Sequence, residues 1–306
     1  MIKPRPLRPG ACVRLVAPAS PFDPARLADG VRVLTDLGLA PIWTERVLQR
    51  EGYLAGPDGL RALELAAALT DGTADAVVAI RGGYGVMRLL DVLEPRRDDL
   101  KPALVMGFSD LTALHLFLAA GAPRVTFHGP NVLGMARLDA DSRARLGAAL
   151  SGTDWEATFA WGGLRTVRGG AARGRLLAGN LSMLCAMMGT RYAAALDGTI
   201  LVVEDVHEPA YRIDRLLTQL ALHPDAPRLA GVVLGDLGVV PDEQPLLDAA
   251  VAAFAARLAC PVVAGFPAGH GASNHPIPLN VPANLDADVG LLRVLEDPFD
   301  RGDAHG

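Results

Sequence analysis

Short, almost wholly apolar runs recur along the first half of the chain, and segments with helix-like composition separate them. Cys12 to Ala17 (CVRLVA) predicts a buried strand, and Ala76 to Ile80 (AVVAI), β-branched and apolar throughout, predicts a central one. Ala40 to Trp43, Leu104 to Met106 and Val125 to Phe127 are further strand candidates. Between them, Asp23 followed by Pro24 marks a helix start, a capping acid and then proline in the first turn, and Gly38 marks its stop after Leu37. Leu60 to Leu69 is rich in Ala, Leu and Glu and predicts a second helix; Leu111 to Ala119 predicts another. This alternation implies an α/β fold, a mostly parallel sheet flanked by helices on both faces.

From Ser151 to Gly174 the pattern changes. Apolar periodicity fades and Gly162, Gly163, Gly169 and Gly170 accumulate, which reads as a linker. The expected organisation is therefore a domain over residues 1–150, a linker over 151–174 and a second domain over 175–306. In the latter, strands are expected at Arg175 to Leu177, Ile200 to Val203, Val232 to Leu234 and Pro261 to Val263. Helices are expected at Leu181 to Met188, Tyr211 to Leu222 and Leu246 to Leu258, and antiparallel strands between Asn284 and Leu295.

Half of the 306 residues are apolar and 21% are charged, so the chain can bury a large core. The formal charge of −5, without a basic stripe, argues against nucleic acid as a partner. Three cysteines far apart in sequence suit a reducing compartment and no disulfide framework. The N-terminal stretch is basic but broken by prolines and reads poorly as a signal peptide, and no apolar run approaches the ~20 residues that span a bilayer. A cytoplasmic protein is expected.

Leu104 to Asp110 runs from an apolar strand through Gly107 to a serine and then into a helix. Such a turn exposes the Ser109 hydroxyl at the carboxyl edge of the sheet and aims the free N–H groups of the helix start at the same point, where they could hold an oxyanion. Leu111 stands where the hydrolase elbow G-x-S-x-G has its second glycine, so this is a different motif, and an ordinary helix cap accounts for the local sequence as well. Arg81 to Gly85 follows the strand AVVAI but lacks dinucleotide-loop spacing; it reads either as a tight turn or as an oxyanion loop. A serine nucleophile needs a base and an orienting acid. Of seven histidines, His305 lies in the tail and His115 inside a helix; His128 ends a strand. His270, flanked by glycines after a strand, is the favoured base, with His275 second. Glu204, Asp205 and Glu208 at the end of an apolar strand are all open as the acid. No HExxH or helical pair of histidines suggests a metal.

Taken together, Val16 to Ser20, Ile80 to Gly85, Gly107 to Asp110, Phe127 to Pro130, Gly179 to Leu181, Val203 to Asp205 with Tyr211 to Asp214, and Gly265 to His270 resemble, in this order, the LD-carboxypeptidase family of serine peptidases. That family includes muramoyltetrapeptide carboxypeptidases and microcin-C immunity peptidases. The resemblance implies an N-terminal parallel α/β domain and a smaller C-terminal α/β domain rich in short strands, with the site between them. It implies a Ser109, Glu204 and His270 triad, oxyanion N–H groups from Gly83 and Asp110, and Tyr84, His128 and His207 as candidate substrate-facing residues. It implies no cofactor and no metal. The partners implied are a small peptide substrate, with neither nucleic acid nor membrane, and a second copy of the chain in a homodimer. The substrate would be a murein tetrapeptide losing its terminal D-alanine in cell-wall recycling, or alternatively a peptidyl- or aminoacyl-nucleotide antibiotic. The chain departs from the family pattern at His207, where a small residue is expected.

Overall fold

A computed structural model describes residues 1–120 and 123–302; His305 lies outside them. The apolar runs of the first half form five parallel strands: β1 (Cys12–Val16), β2 (Ala40–Ile42), β3 (Ala76–Ala79), β4 (Leu104–Gly107) and β5 (Phe127–His128), in the order β2-β1-β3-β4-β5. The helices Leu27–Asp36, Asp58–Thr70 and Thr112–Ala119 connect or flank them. Asp23 caps the first helical turn as its sequence position implies, its Oδ1 accepting from the Ala25 N–H at 3.0 Å.

The remaining strands are β6 (Ala160–Trp161), β7 (Arg165–Arg168), β8 (Ala171–Asn180), β9 (Thr199–Glu204), β10 (Gly231–Leu234), β11 (Val262–Ala264), β12 (Ile277–Pro278), β13 (Pro282–Asp286) and β14 (Leu291–Val294). Eight of them form a second sheet in the order β6-β14-β13-β8-β9-β10-β11-β7. Its centre, β8 to β11, is parallel, and antiparallel strands close both edges. The expected mixed α/β architecture is present.

Residues 151–174 are not a linker. They contain β6, β7 and the start of β8. These strands escaped the sequence reading because β6 is only two residues long and β7 (RTVR) is an edge strand with charged, largely exposed side chains. Edge strands carry charge where buried strands carry alternating or continuous apolar residues, so the usual signal is missing.

The two halves also exchange structure. β12 leaves the second half and pairs antiparallel with β5 at the edge of the first sheet, Ile277 opposite His128. Successive residues of each strand serve opposite faces. Val77 and Ala79 of β3 and Leu201 and Val203 of β9 join one apolar layer, while Ala76, Val78, Ile200 and Val202 join the other. Both layers run through both sheets, and each fully buried Val or Leu in them contributes roughly 1.5–3 kcal/mol.

Candidate active site

Strand β4 ends at Gly107, and the chain turns into a short 3-10 segment, Ser109–Leu111, that leads to the helix Thr112–Ala119. Ser109 sits in this turn with φ +64°, the left-handed region that a residue bearing a Cβ avoids. The strain is held by neighbours: the Phe108 N–H donates to Asn131 Oδ1 at 3.3 Å, and Asp110 is 99% buried. Strained turns of this sort gather at catalytic groups.

The loop after β3 lies against the serine. A Cβ built on Gly82 would sit 2.9 Å from Ser109 Cβ and 3.0 Å from Ser109 Oγ, so only glycine lets this backbone approach. Gly83 follows with φ +114°, packed on Ser20. Ser20 Oγ accepts from the Tyr84 N–H at 3.1 Å, which fixes the loop from β1's side. Arg61, fully buried on the helix Asp58–Thr70, fixes it from the other: its guanidinium donates to the carbonyls of Gly85 (3.1 Å), Gly56 (3.1 Å) and Pro18 and pairs with Asp58. Neither role of Arg61 nor that of Ser20 was assigned from sequence. The signal for Arg61 was present, since it falls in the apolar stripe Arg61, Leu65, Leu69 at helical spacing.

Asp110 ties the serine turn to this loop, Oδ2 accepting from the Val86 N–H at 2.9 Å. Burial pushes its carboxyl up to about 6, against the pull of the Val86 N–H and the Arg61 charge. A value raised above the ordinary 3.8 means that the protonated form favours folding; this contribution is complete below about pH 4 and is lost as pH rises through about 6. Asp110→Asn keeps an acceptor for Val86 but cannot ionise. Urea unfolding at pH 5 and pH 8 should show the variant gaining on the wild type by about 1–3 kcal/mol at the higher pH. Parallel stability profiles would contradict a buried, titrating Asp110.

At the end of β9, three carboxylates that the sequence left open are separated by their partners. Asp205 is saturated: it accepts from Asn180 Nδ2 (3.1 Å), the Val206 N–H (2.8 Å), and the Ser182 N–H (2.8 Å) and hydroxyl (2.7 Å). Glu208 accepts from Arg212 at 3.1 Å on the surface. Glu204, only 1% exposed, has Oε2 3.0 Å from His270 Nδ1, although the alignment leaves neither atom with a formed hydrogen bond. Burial raises its carboxyl, and the His270 contact opposes that rise. Asn180, beside Glu204 in register on β8, donates its N–H to Thr112 Oγ1 at 2.9 Å and so joins this strand end to the helix behind Ser109.

His270 lies in the loop after β11 with its side chain 25% exposed, and its ring packs on Phe108, the residue before Ser109, at 4.6 Å between centroids. The route is structural: the same loop continues into β12, whose pairing with β5 brings it to the serine's sheet. His275 is engaged elsewhere, with Nε2 3.0 Å from Asp141 Oδ2.

The remaining expected site residues are dispersed. Tyr84 is exposed on the glycine loop against Tyr53, with ring centroids 5.6 Å apart. His207 is exposed with φ +62°, a conformation that favours glycine. His128, expected as a candidate substrate-facing residue, is 0% exposed and lies between Phe108, His115 and Glu204. His115 is fixed by Thr126 Oγ1 (2.9 Å) and the Gly107 carbonyl (2.8 Å), and burial holds its imidazole down at about 4. A thiol nucleophile is disfavoured: burial raises the thiols of Cys185, to about 12, and Cys260.

The model of the LD-carboxypeptidase N-terminal domain matches residues 13–129, and that of the LD-carboxypeptidase C-terminal domain matches residues 173–285. A Streptomyces coelicolor protein that carries a carboxypeptidase name is 40% identical over 95% of this chain and 96% of its own. The murein tetrapeptide carboxypeptidase of Pseudomonas aeruginosa is 34% identical over 90% of this chain and 93% of its own. Among solved structures, the muramoyltetrapeptide carboxypeptidase of Oxalobacter formigenes superposes with a TM-score of 0.82 at 27% identity, covering 94% of this chain and 100% of that one. The chain belongs to the LD-carboxypeptidase family and is a carboxypeptidase, a hydrolase of peptide bonds.

Proposed function

We propose that the protein releases the terminal D-alanine of a murein tetrapeptide through an acyl-enzyme on Ser109. The observation that carries this reading is the 3.0 Å pairing of a buried carboxylate, Glu204, with His270, a part-exposed imidazole that packs on the residue preceding the strained serine. His270 Nε2 takes the Ser109 proton as Oγ attacks the carbonyl carbon of the scissile bond. Glu204 holds the Nδ1–H tautomer and stabilises the imidazolium. The N–H groups of Gly83 and Asp110 receive the oxyanion; losing one such donor costs roughly 10²–10³ in rate. Collapse of the intermediate expels D-alanine, its nitrogen taking the proton from His270. Water, deprotonated by the same imidazole, then hydrolyses the ester and restores Ser109.

The murein reading rests on the name of the Pseudomonas aeruginosa relative. The microcin C7 self-immunity protein shares the fold at a TM-score of 0.85 and 18% identity, a likeness of fold alone. Incubation with murein tetrapeptide and, separately, with an aminoacyl-sulfamoyl adenosine, followed by mass spectrometry, tests the substrate. Tripeptide and free D-alanine from the first, with the second intact, are expected. The reverse outcome would replace the substrate assignment.

A further inference from the structure

Glu204 has two carboxylate oxygens, and the triad uses one. The other, Oε1, is buried without a hydrogen bond and lies 3.9 Å from Nε2 of His128. Both nitrogens of His128 are likewise buried and unbonded. An imidazole left this way loses hydration for nothing, and an apolar residue would fill the same space between Phe108 and β4 without that cost. The position therefore asks for a reason beyond packing, and a carboxylate oxygen without a formed hydrogen bond faces it; besides His270, the Asn180 amide is the other donor near this carboxylate.

We propose that His128 is a positioning residue for Glu204, a neutral imidazole carrying its proton on Nε2 and directing it at Oε1, so that Oε2 stays on His270. The inference rests on the triad reading above. The tautomer follows from the neighbour, because an Nε2 lone pair set against a carboxylate oxygen would repel it. At 3.9 Å the contact is a charge–dipole one; closing by about 1 Å makes it a hydrogen bond, as resting catalytic contacts commonly do when substrate binds. The titratable groups around the pair are His270 from the loop after β11, His115 from the helix Thr112–Ala119, and Asp205 next along β9. Burial, reinforced by His115 and His270, disfavours the charged form of His128, in keeping with a neutral donor. Two imidazoles thus hold one carboxylate, His270 exchanging protons with the substrate and His128 keeping the carboxylate turned.

The test uses His128→Leu, which removes the donor, His128→Gln, whose amide nitrogen reaches the place of Nε2, and His128→Asn, whose amide falls short. For each, Tm and the pH profiles of kcat and kcat/KM on tetrapeptide are measured beside the wild type and Ser109→Ala. His128→Leu and His128→Asn should lower kcat about 10–100-fold, the usual scale for a residue that orients a working ligand, with KM unchanged. The acid limb of kcat/KM should move to higher pH, because the ionised carboxylate has lost a donor that favours it. His128→Gln should restore most of both. If folded His128→Leu keeps the wild-type kcat and acid limb, or if Gln is no better than Asn, the proposal fails; should the Leu variant not fold, the Gln and Asn pair decides. Turnover by Ser109→Ala would instead sink the triad reading, whatever the His128 variants do.

Discussion

Ser109→Ala should lower kcat by roughly 10⁶-fold, the loss seen when a nucleophile is removed from a triad that acts as a unit, while KM and Tm stay near the wild type. Ser109 is half-buried at the mouth of a turn that Asn131 and Asp110 hold in place, so removing Oγ leaves the turn's anchors intact. Release of the left-handed strain would require the backbone to move, and Gly82 packed on the serine Cβ resists that. Steady-state kinetics with thermal unfolding checks this. A loss under tenfold would show that another group attacks the substrate.

Glu204→Gln is the second large effect, and its two consequences run in opposite directions. The amide keeps the side chain's shape but cannot enforce the Nδ1–H tautomer, so kcat should drop by about 10⁴-fold. Stability should not drop with it. Burial holds the Glu204 carboxyl above its ordinary value, so its ionised form works against folding as pH rises past that value, and a neutral amide is spared this. The variant should therefore match or exceed the wild-type Tm at pH 8 while being nearly inert, a trade common where a site is built for activity. A variant that loses stability in proportion to activity would mark Glu204 as a structural residue.

Much of the frame is legible in the sequence, for a definite reason. β3, β4, β9 and β10 are buried throughout, and burial on both faces writes itself as a nearly continuous apolar run. What escaped was the periphery: β6 and β7 are short or charged edge strands, and β12 was invisible because two residues give no period. That omission matters most, since β12 carries the His270 loop to the sheet of Ser109.

The site divides in the same way. A serine after a strand and a histidine among glycines are local features, and the order of short motifs gave them roles. The choice among Glu204, Asp205 and Glu208 is a matter of which partner each meets, which a strand end does not encode. Nor does a sequence say that Arg61 turns inward to hold the Gly85 carbonyl, or that the buried His128 ring lies 3.9 Å from Glu204.

The proposed catalysis depends on Ser109 being the group that His270 activates. Labelling with a fluorophosphonate, followed by peptide mass mapping, reads this directly. One adduct per chain on the peptide containing Ser109, with the rate of labelling greatly reduced in His270→Ala, is the predicted result. An adduct on a different residue, or equal labelling with and without the imidazole, would contradict it.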